Sequence, residues 1–165
     1  AAERWAVAQS RPTHGDPIAL AASAAMAVGV ARLFRGAGVE DAVGAMIAAA
    51  ARYSPGTADM MRQARQEAVD GVGPEITLDR LRAWAAHEAI AAAVYVILRH
   101  GDDPRAAILE SANTPGDSDS IATLAGALLG ARLGIGAFPE DWVRDLERSE
   151  DLAALAKRGV VLNRS

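Results

Sequence analysis

The sequence contains no cysteine, which removes disulfide frameworks, thiolate zinc sites and cysteine nucleophiles together. Aromatic residues make up only 4% of its 165 positions, and no stretch of four or more residues alternates cleanly between apolar and polar side chains. Strands favour aromatic and β-branched residues, so the chain is ill suited to a sandwich or barrel, and essentially no sheet is expected. A concentrated basic surface is also missing. The net charge is −4 and the isoelectric point near 5.4, a balance that argues against a nucleic-acid partner. No uncharged apolar run reaches the roughly 20 residues of a membrane span. The alanine-rich stretch after Pro17 comes nearest, and Arg32 and Arg35 end it. With no basic–apolar–small signal pattern at the start, no membrane contact is expected and a cytoplasmic location is the default.

What is present is alanine, about a quarter of the chain, within a composition that is 51% hydrophobic and 23% charged. Alanine is the best helix former, and 165 residues suffice for one domain with a sizeable core. Helix punctuation is frequent. Asp16-Pro17 reads as a cap followed by proline at the first helical position, opening a helix that Gly36 and Gly38 stop. A second helix is expected from about Val39 to Arg52. A third, capped by Thr57, runs from Ala58 to about Val69. The spacing then predicts one long buried helix from about Leu78 to Arg99, with Trp84 inside it. Shorter helices follow at Arg105–Ser111, after Pro139 and at Leu152–Lys157, and a longer one runs from Asp117 to about Leu133. The expected architecture is a compact all-α bundle of about eight helices, a single domain over residues 1–165.

The stretch richest in chemistry is Asn113-Thr114-Pro115-Gly116-Asp117-Ser118-Asp119-Ser120, which runs directly into the apolar helix from Ile121 to Gly130. Two carboxylates and two hydroxyls gather at the mouth of a helix. Carboxylate and hydroxyl oxygens are hard ligands, suited to Mg²⁺ or Mn²⁺ rather than to zinc or copper. Asp117, Asp119 and Ser120 fall within one helical turn, so their oxygens can converge on one small volume. The plainer reading is that Asp117 or Ser118 caps the helix while Asp119 favours the positive end of its dipole. Spacing alone leaves both open.

Taken with its flanks, the sequence resembles the ADP-ribosylglycohydrolase family. The match consists of Asn113, Gly116-Asp117-Ser118-Asp119-Ser120, Gly126 and Gly130. It continues upstream in Trp84-Ala85-Ala86-His87-Glu88-Ala89 and downstream in Phe138-Pro139-Glu140-Asp141-Trp142. Near the start, Thr13-His14-Gly15-Asp16-Pro17 is similar to a T-H-x-x-P segment. The resemblance implies an all-helical fold with a cleft for two Mg²⁺ or Mn²⁺ ions that grip the distal ribose of ADP-ribose. It implies hydrolysis of an N- or O-glycosidic bond to a protein side chain or small molecule. By the same resemblance Asp117, Asp119 and Ser120 would hold metal, with both aspartates catalytic. His14, Gly116 and Ser118 would contact substrate. Pro115 departs from a second glycine found in many relatives. A Gly-Asp-Ala-x-Gly segment and a Thr-Asp-Asp-Thr-like segment, which supply the remaining ligands in the family, are absent. An upstream half is therefore expected to complete the metal site, and the alternative is a non-catalytic module that binds ADP-ribose or simply packs.

Other residues have plainer expectations. Asp102-Asp103 reads as a solvated turn, and His87 and His100 as non-ligands. Trp5, Trp84 and Trp142 read as packing residues, although Trp84 could line a cleft. Glu88 is expected either to brace a backbone amide or to lie on the surface. The Arg62–Arg65 and Arg144–Arg148 clusters read as solvated faces with local ion pairs.

Overall fold

A computed structural model describes residues 1–162. Among these the chain forms helices and turns only, without a strand. Ten α-helices follow in order: α1 Ala2–Ser10, α2 Pro17–Phe34, α3 Val39–Ala51, α4 Pro55–Val69, α5 Pro74–Leu81, α6 Ala86–His100, α7 Pro104–Ala112, α8 Ser118–Leu133, α9 Glu140–Asp145 and α10 Ser149–Leu162. A single 3₁₀ turn, Ile135–Ala137, joins α8 to α9. The all-α expectation holds.

Four helices start the same way, with proline at the first helical position of α2, α4, α5 and α7. Proline loses nothing there, because the first N–H groups of a helix have no partner inside it. Asp16 Oδ1 accepts from the Ile18 N–H at 2.8 Å, and Asp103 Oδ1 from Ala106 at 2.9 Å. Ser54 Oγ accepts from Thr57 at 3.2 Å. The cap of α4 is thus Ser54 and not Thr57, and the helix begins three residues earlier than the sequence suggested.

Alanine sets the packing. Residues such as Ala21, Ala25, Ala42, Ala50, Ala91, Ala92, Ala93 and Ala125 are fully buried. Their small side chains let helix axes approach closely, and Met46, Met61, Leu78, Tyr95, Ile121 and Leu128 fill the spaces between. α6 is the centre of the bundle. All its residues from Ala89 to Ile97 are buried, and it packs against α2, α4, α7 and α8. α2 has the length and apolar composition to cross a membrane, yet here it packs against α1, α3, α6 and α8 as a core helix.

The single helix expected over Leu78–Arg99 is instead two. α5 ends at Leu81, and the chain turns through Arg82 (φ 48°) and Ala83 (φ 61°) before α6 begins at Ala86. Two successive non-glycine residues at positive φ are costly. They hold because Ala83 is buried in the core and Glu88 Oε2 receives the Ala85 N–H at 3.1 Å. This break also removes Trp84 from the interior. Trp84 is 73% exposed and Trp5 76% exposed, so the expectation that both pack in the core is wrong.

Candidate functional site

The motif helix α8 starts in the groove between α1, α2 and α6. Asp117 occupies the position before its first turn, but its carboxylate makes no capping bond to the helix N–H groups. Instead Asp117 Oδ2 accepts a hydrogen bond from Ser120 Oγ at 2.7 Å. The Asp119 carboxyl is held below the usual aspartate range. The leading cause is the adjacent Asp117 side chain, followed by the backbone N–H groups of Asp119 and Ser120 at the head of α8. Two carboxylates and a hydroxyl therefore gather within one turn, with the Asp117 side chain turned toward its neighbours rather than spent on the helix end.

Asp119 and Ser120 open onto a cavity of about 600 Å³, within the usual range for small-molecule sites. Its walls are mostly apolar: Ala6 of α1, Ala22, Met26 and Ala27 of α2, Ala89 and Ile90 of α6, and Leu124 of α8. Gln9, Ser10, Ser23 and Thr123 add polar groups, and Ser10 Oγ donates to Ser23 Oγ at 2.9 Å where α1 meets α2. An apolar trough with a few convergent polar atoms at one end suits a ligand with a flat apolar part and a polar terminus.

The structure separates the remaining site expectations. Ser118 is the first residue of α8, half-buried, and its N–H donates to Gly116 O at 2.9 Å. Gly116 is needed for space: a side chain there would collide with the carbonyl oxygen, carbonyl carbon and Cα of Arg82. Asp117 N–H donates to that same Arg82 carbonyl at 2.7 Å. His14 lies exposed in the α1–α2 loop with Nδ1 2.9 Å from Thr13 Oγ1, and it does not line the cavity. Asn113 Nδ2 donates to Leu109 O at 2.7 Å and so closes the end of α7. Asp102 is exposed and pairs with Arg132 at 2.5 Å, while Asp103 caps α7. Neither aspartate approaches the motif loop through these bonds.

Sequence reasoning missed the Arg82–Ala83 turn that braces the motif from behind. A signal was available in Glu88, three residues after Ala85, which is half of a capping box and marks a helix start inside the supposed long helix. It also missed the Ser10–Ser23 contact, because neither serine stands in a recognisable pattern.

Asp117, Asp119 and Ser120 could hold a divalent cation, since they supply only hard oxygen donors. Among the described residues, however, no group of three or more His, Cys, Asp or Glu side chains comes together, so this loop would fill only part of a coordination shell.

An acidic, hydroxyl-bearing loop at the head of a small-residue helix, opening on an apolar trough in an all-helical fold, has the outline of a small-molecule binding site. The sequence matches the ADP-ribosylglycohydrolase family over residues 1–165, and the chain belongs to that family. It is 33% identical over 103 residues to the ADP-ribosylhydrolase ARH3 of Mus musculus, covering 56% of this chain and 26% of that protein. The ARH3 of Homo sapiens is 32% identical over 109 residues, 60% of this chain and 28% of that one. An uncharacterized protein of Archaeoglobus fulgidus is 28% identical over 157 residues, 94% of this chain and 50% of its own length. The chain therefore spans about a quarter of the mammalian relatives and half of the archaeal one.

Proposed function

We propose that the protein hydrolyses the glycosidic bond joining the distal ribose of ADP-ribose to a protein side chain or small molecule, with Mg²⁺ or Mn²⁺ as cofactor. The observation that carries this reading is the Asp117 carboxylate. It sits where a cap is expected but accepts from Ser120 Oγ instead, next to the end of the trough onto which Asp119 and Ser120 open. Family membership supports the reaction class.

In this reading Asp117, Asp119 and Ser120 hold the cation, which when bound would orient the ribose and activate a water. The two aspartates would hold that cation and its water toward the anomeric carbon, the net hydrolysis giving the water's hydroxyl to that carbon and its proton to the departing nitrogen or oxygen. Ser118, half-buried at the first turn of α8, would meet substrate only beside the trough, His14 would reach it only from the exposed α1–α2 loop outside the cavity lining, and Gly116 keeps the motif loop close to its support. The apolar trough receives the rest of the nucleotide. The incomplete ligand set among the described residues favours one alternative, a module that binds ADP-ribose without cleaving it, unless further acidic ligands come from outside this chain.

The test is release of ADP-ribose from ADP-ribosylated protein by the whole protein, with Mg²⁺, Mn²⁺ or chelator. Metal-dependent release that Asp117→Asn abolishes is expected. Release unaffected by Asp117→Asn removes the assignment of that residue. Binding of ADP-ribose without any release selects the module.

A further inference from the structure

The Arg82–Ala83 turn is the most strained backbone near the candidate site. Its two residues have φ of 48° and 61°, and only glycine takes such values without penalty. The turn is held from several directions. Arg82 N–H donates to Leu78 O at 3.0 Å, and Ala83 N–H bonds to Leu81 O. The Arg82 guanidinium bonds Asp79 twice, at 3.1 Å to its carbonyl and 3.1 Å to its carboxylate. Ala83 is 2% exposed. The strained segment then makes two contacts with the motif loop and spends its own backbone on both. Arg82 O accepts the Asp117 N–H at 2.7 Å, and the Arg82 backbone lies so close to Gly116 that no side chain fits.

Strain that the surroundings maintain concentrates where a functional geometry depends on it. We infer that the left-handed turn at Arg82–Ala83 is a positioning device for the metal-binding loop, its backbone setting the direction in which the Asp117 carboxylate leaves the head of α8. This rests on the metal-binding reading of Asp117, Asp119 and Ser120. Arg82 and Ala83 touch neither cation nor substrate in this account. They act through Asp117, as groups around a metal site commonly do, where their loss costs about 10–100-fold in metal affinity.

Arg82 gives a clean test because its side chain is exposed, so replacing it creates no packing clash. Arg82→Gly and Arg82→Val lose the same ion pair with Asp79, but glycine tolerates positive φ and a β-branched residue does not. Two readouts apply to the whole protein: Mn²⁺ affinity by calorimetric titration, and hydrogen exchange of the Asp117 amide. The expected result is that Arg82→Gly keeps Mn²⁺ affinity within about twofold and keeps the Asp117 amide protected. Arg82→Val is expected to lose about tenfold or more in affinity and to lose that protection. Equal behaviour of the two variants in both readouts overturns the proposal. If the parent protein binds no Mn²⁺, the metal reading fails by itself and the exchange readout still decides: protection lost only in Arg82→Val supports the positioning role, and protection retained in both overturns it. Gly126→Ala, elsewhere on α8 where an added methyl would lie 3.2 Å from Ile108 Cδ1, controls for general destabilisation and is expected to leave affinity unchanged.

Discussion

At the scale of single residues, the site depends on which partner each polar atom chooses. Asp117 forgoes its helix cap, and Ser120 Oγ turns to it at 2.7 Å. Removing the hydroxyl in Ser120→Ala should lower Mg²⁺ or Mn²⁺ affinity by about tenfold, read by calorimetry, with little change in melting temperature. Gly116→Ala should be worse for both affinity and stability, because the added methyl meets rigid backbone of Arg82 rather than a movable side chain. The residue types of this site were legible in the sequence, since Asp117, Asp119 and Ser120 must share a turn whenever a helix starts there. Which of them cap and which turn away was not, because that depends on the carbonyl of Arg82, a residue distant in the sequence. Trp84 failed for a related reason. Its apolar bulk argues for burial, but the positive-φ turn beside it swings the ring into solvent.

At the scale of elements, two clamps attach peripheral helices to the core. Glu3 joins α1 to the end of α3 through a fork with Arg52, at 2.8 Å and 2.5 Å, and a hydrogen bond from Tyr53 at 3.1 Å. Because α1 forms a wall of the trough, Glu3→Gln should loosen the trough as well as cost about 1 kcal/mol of stability, a partly exposed pair being screened. Glu67 joins α4 to α5 through Arg80 at 2.8 Å. The Arg52 guanidinium holds the Glu3 carboxyl below the usual range. Burial pushes Glu67 upward, but hydrogen bonds from Arg80 and Gln63 outweigh it and leave that carboxyl low as well. A carboxyl lowered by folding adds stability above its unfolded pKa and loses it as pH falls through the folded value. Thermal stability should therefore decline progressively from about pH 5 downward, and less steeply in a Glu3→Gln, Glu67→Gln double variant. Helix starts were legible wherever a cap preceded proline, as at Asp16-Pro17. The same grammar at Ser54-Pro55 and Asp103-Pro104 fixes α4 and α7, and reading it there would have placed both starts correctly.

At the scale of the whole molecule, alanine content explains both the fold and its tolerances. Helices this close leave no room at crossings. A methyl on Gly29 would lie 2.6 Å from Met46 Sδ and 2.9 Å from Leu128 Cδ2, where α2 crosses α3 and α8. Both are ends of flexible side chains, so Gly29→Ala should cost about 1 kcal/mol rather than prevent folding, measurable as a lowered urea midpoint. The all-helical class was legible from composition, because few residues here favour strands. The trough was not, since it arises from the approach of α1, α2, α6 and α8, which sequence spacing does not define. That trough, ending on Asp119 and Ser120, carries the central claim that this member of the ADP-ribosylglycohydrolase family handles ADP-ribose through a metal held by the Asp117–Ser120 loop. Calorimetric titration of the whole protein with ADP-ribose, in Mg²⁺ and in chelator, tests it most directly. Binding that requires Mg²⁺ and disappears in Asp117→Asn is the predicted result. No binding in either condition, or binding indifferent to both metal and Asp117→Asn, would contradict it.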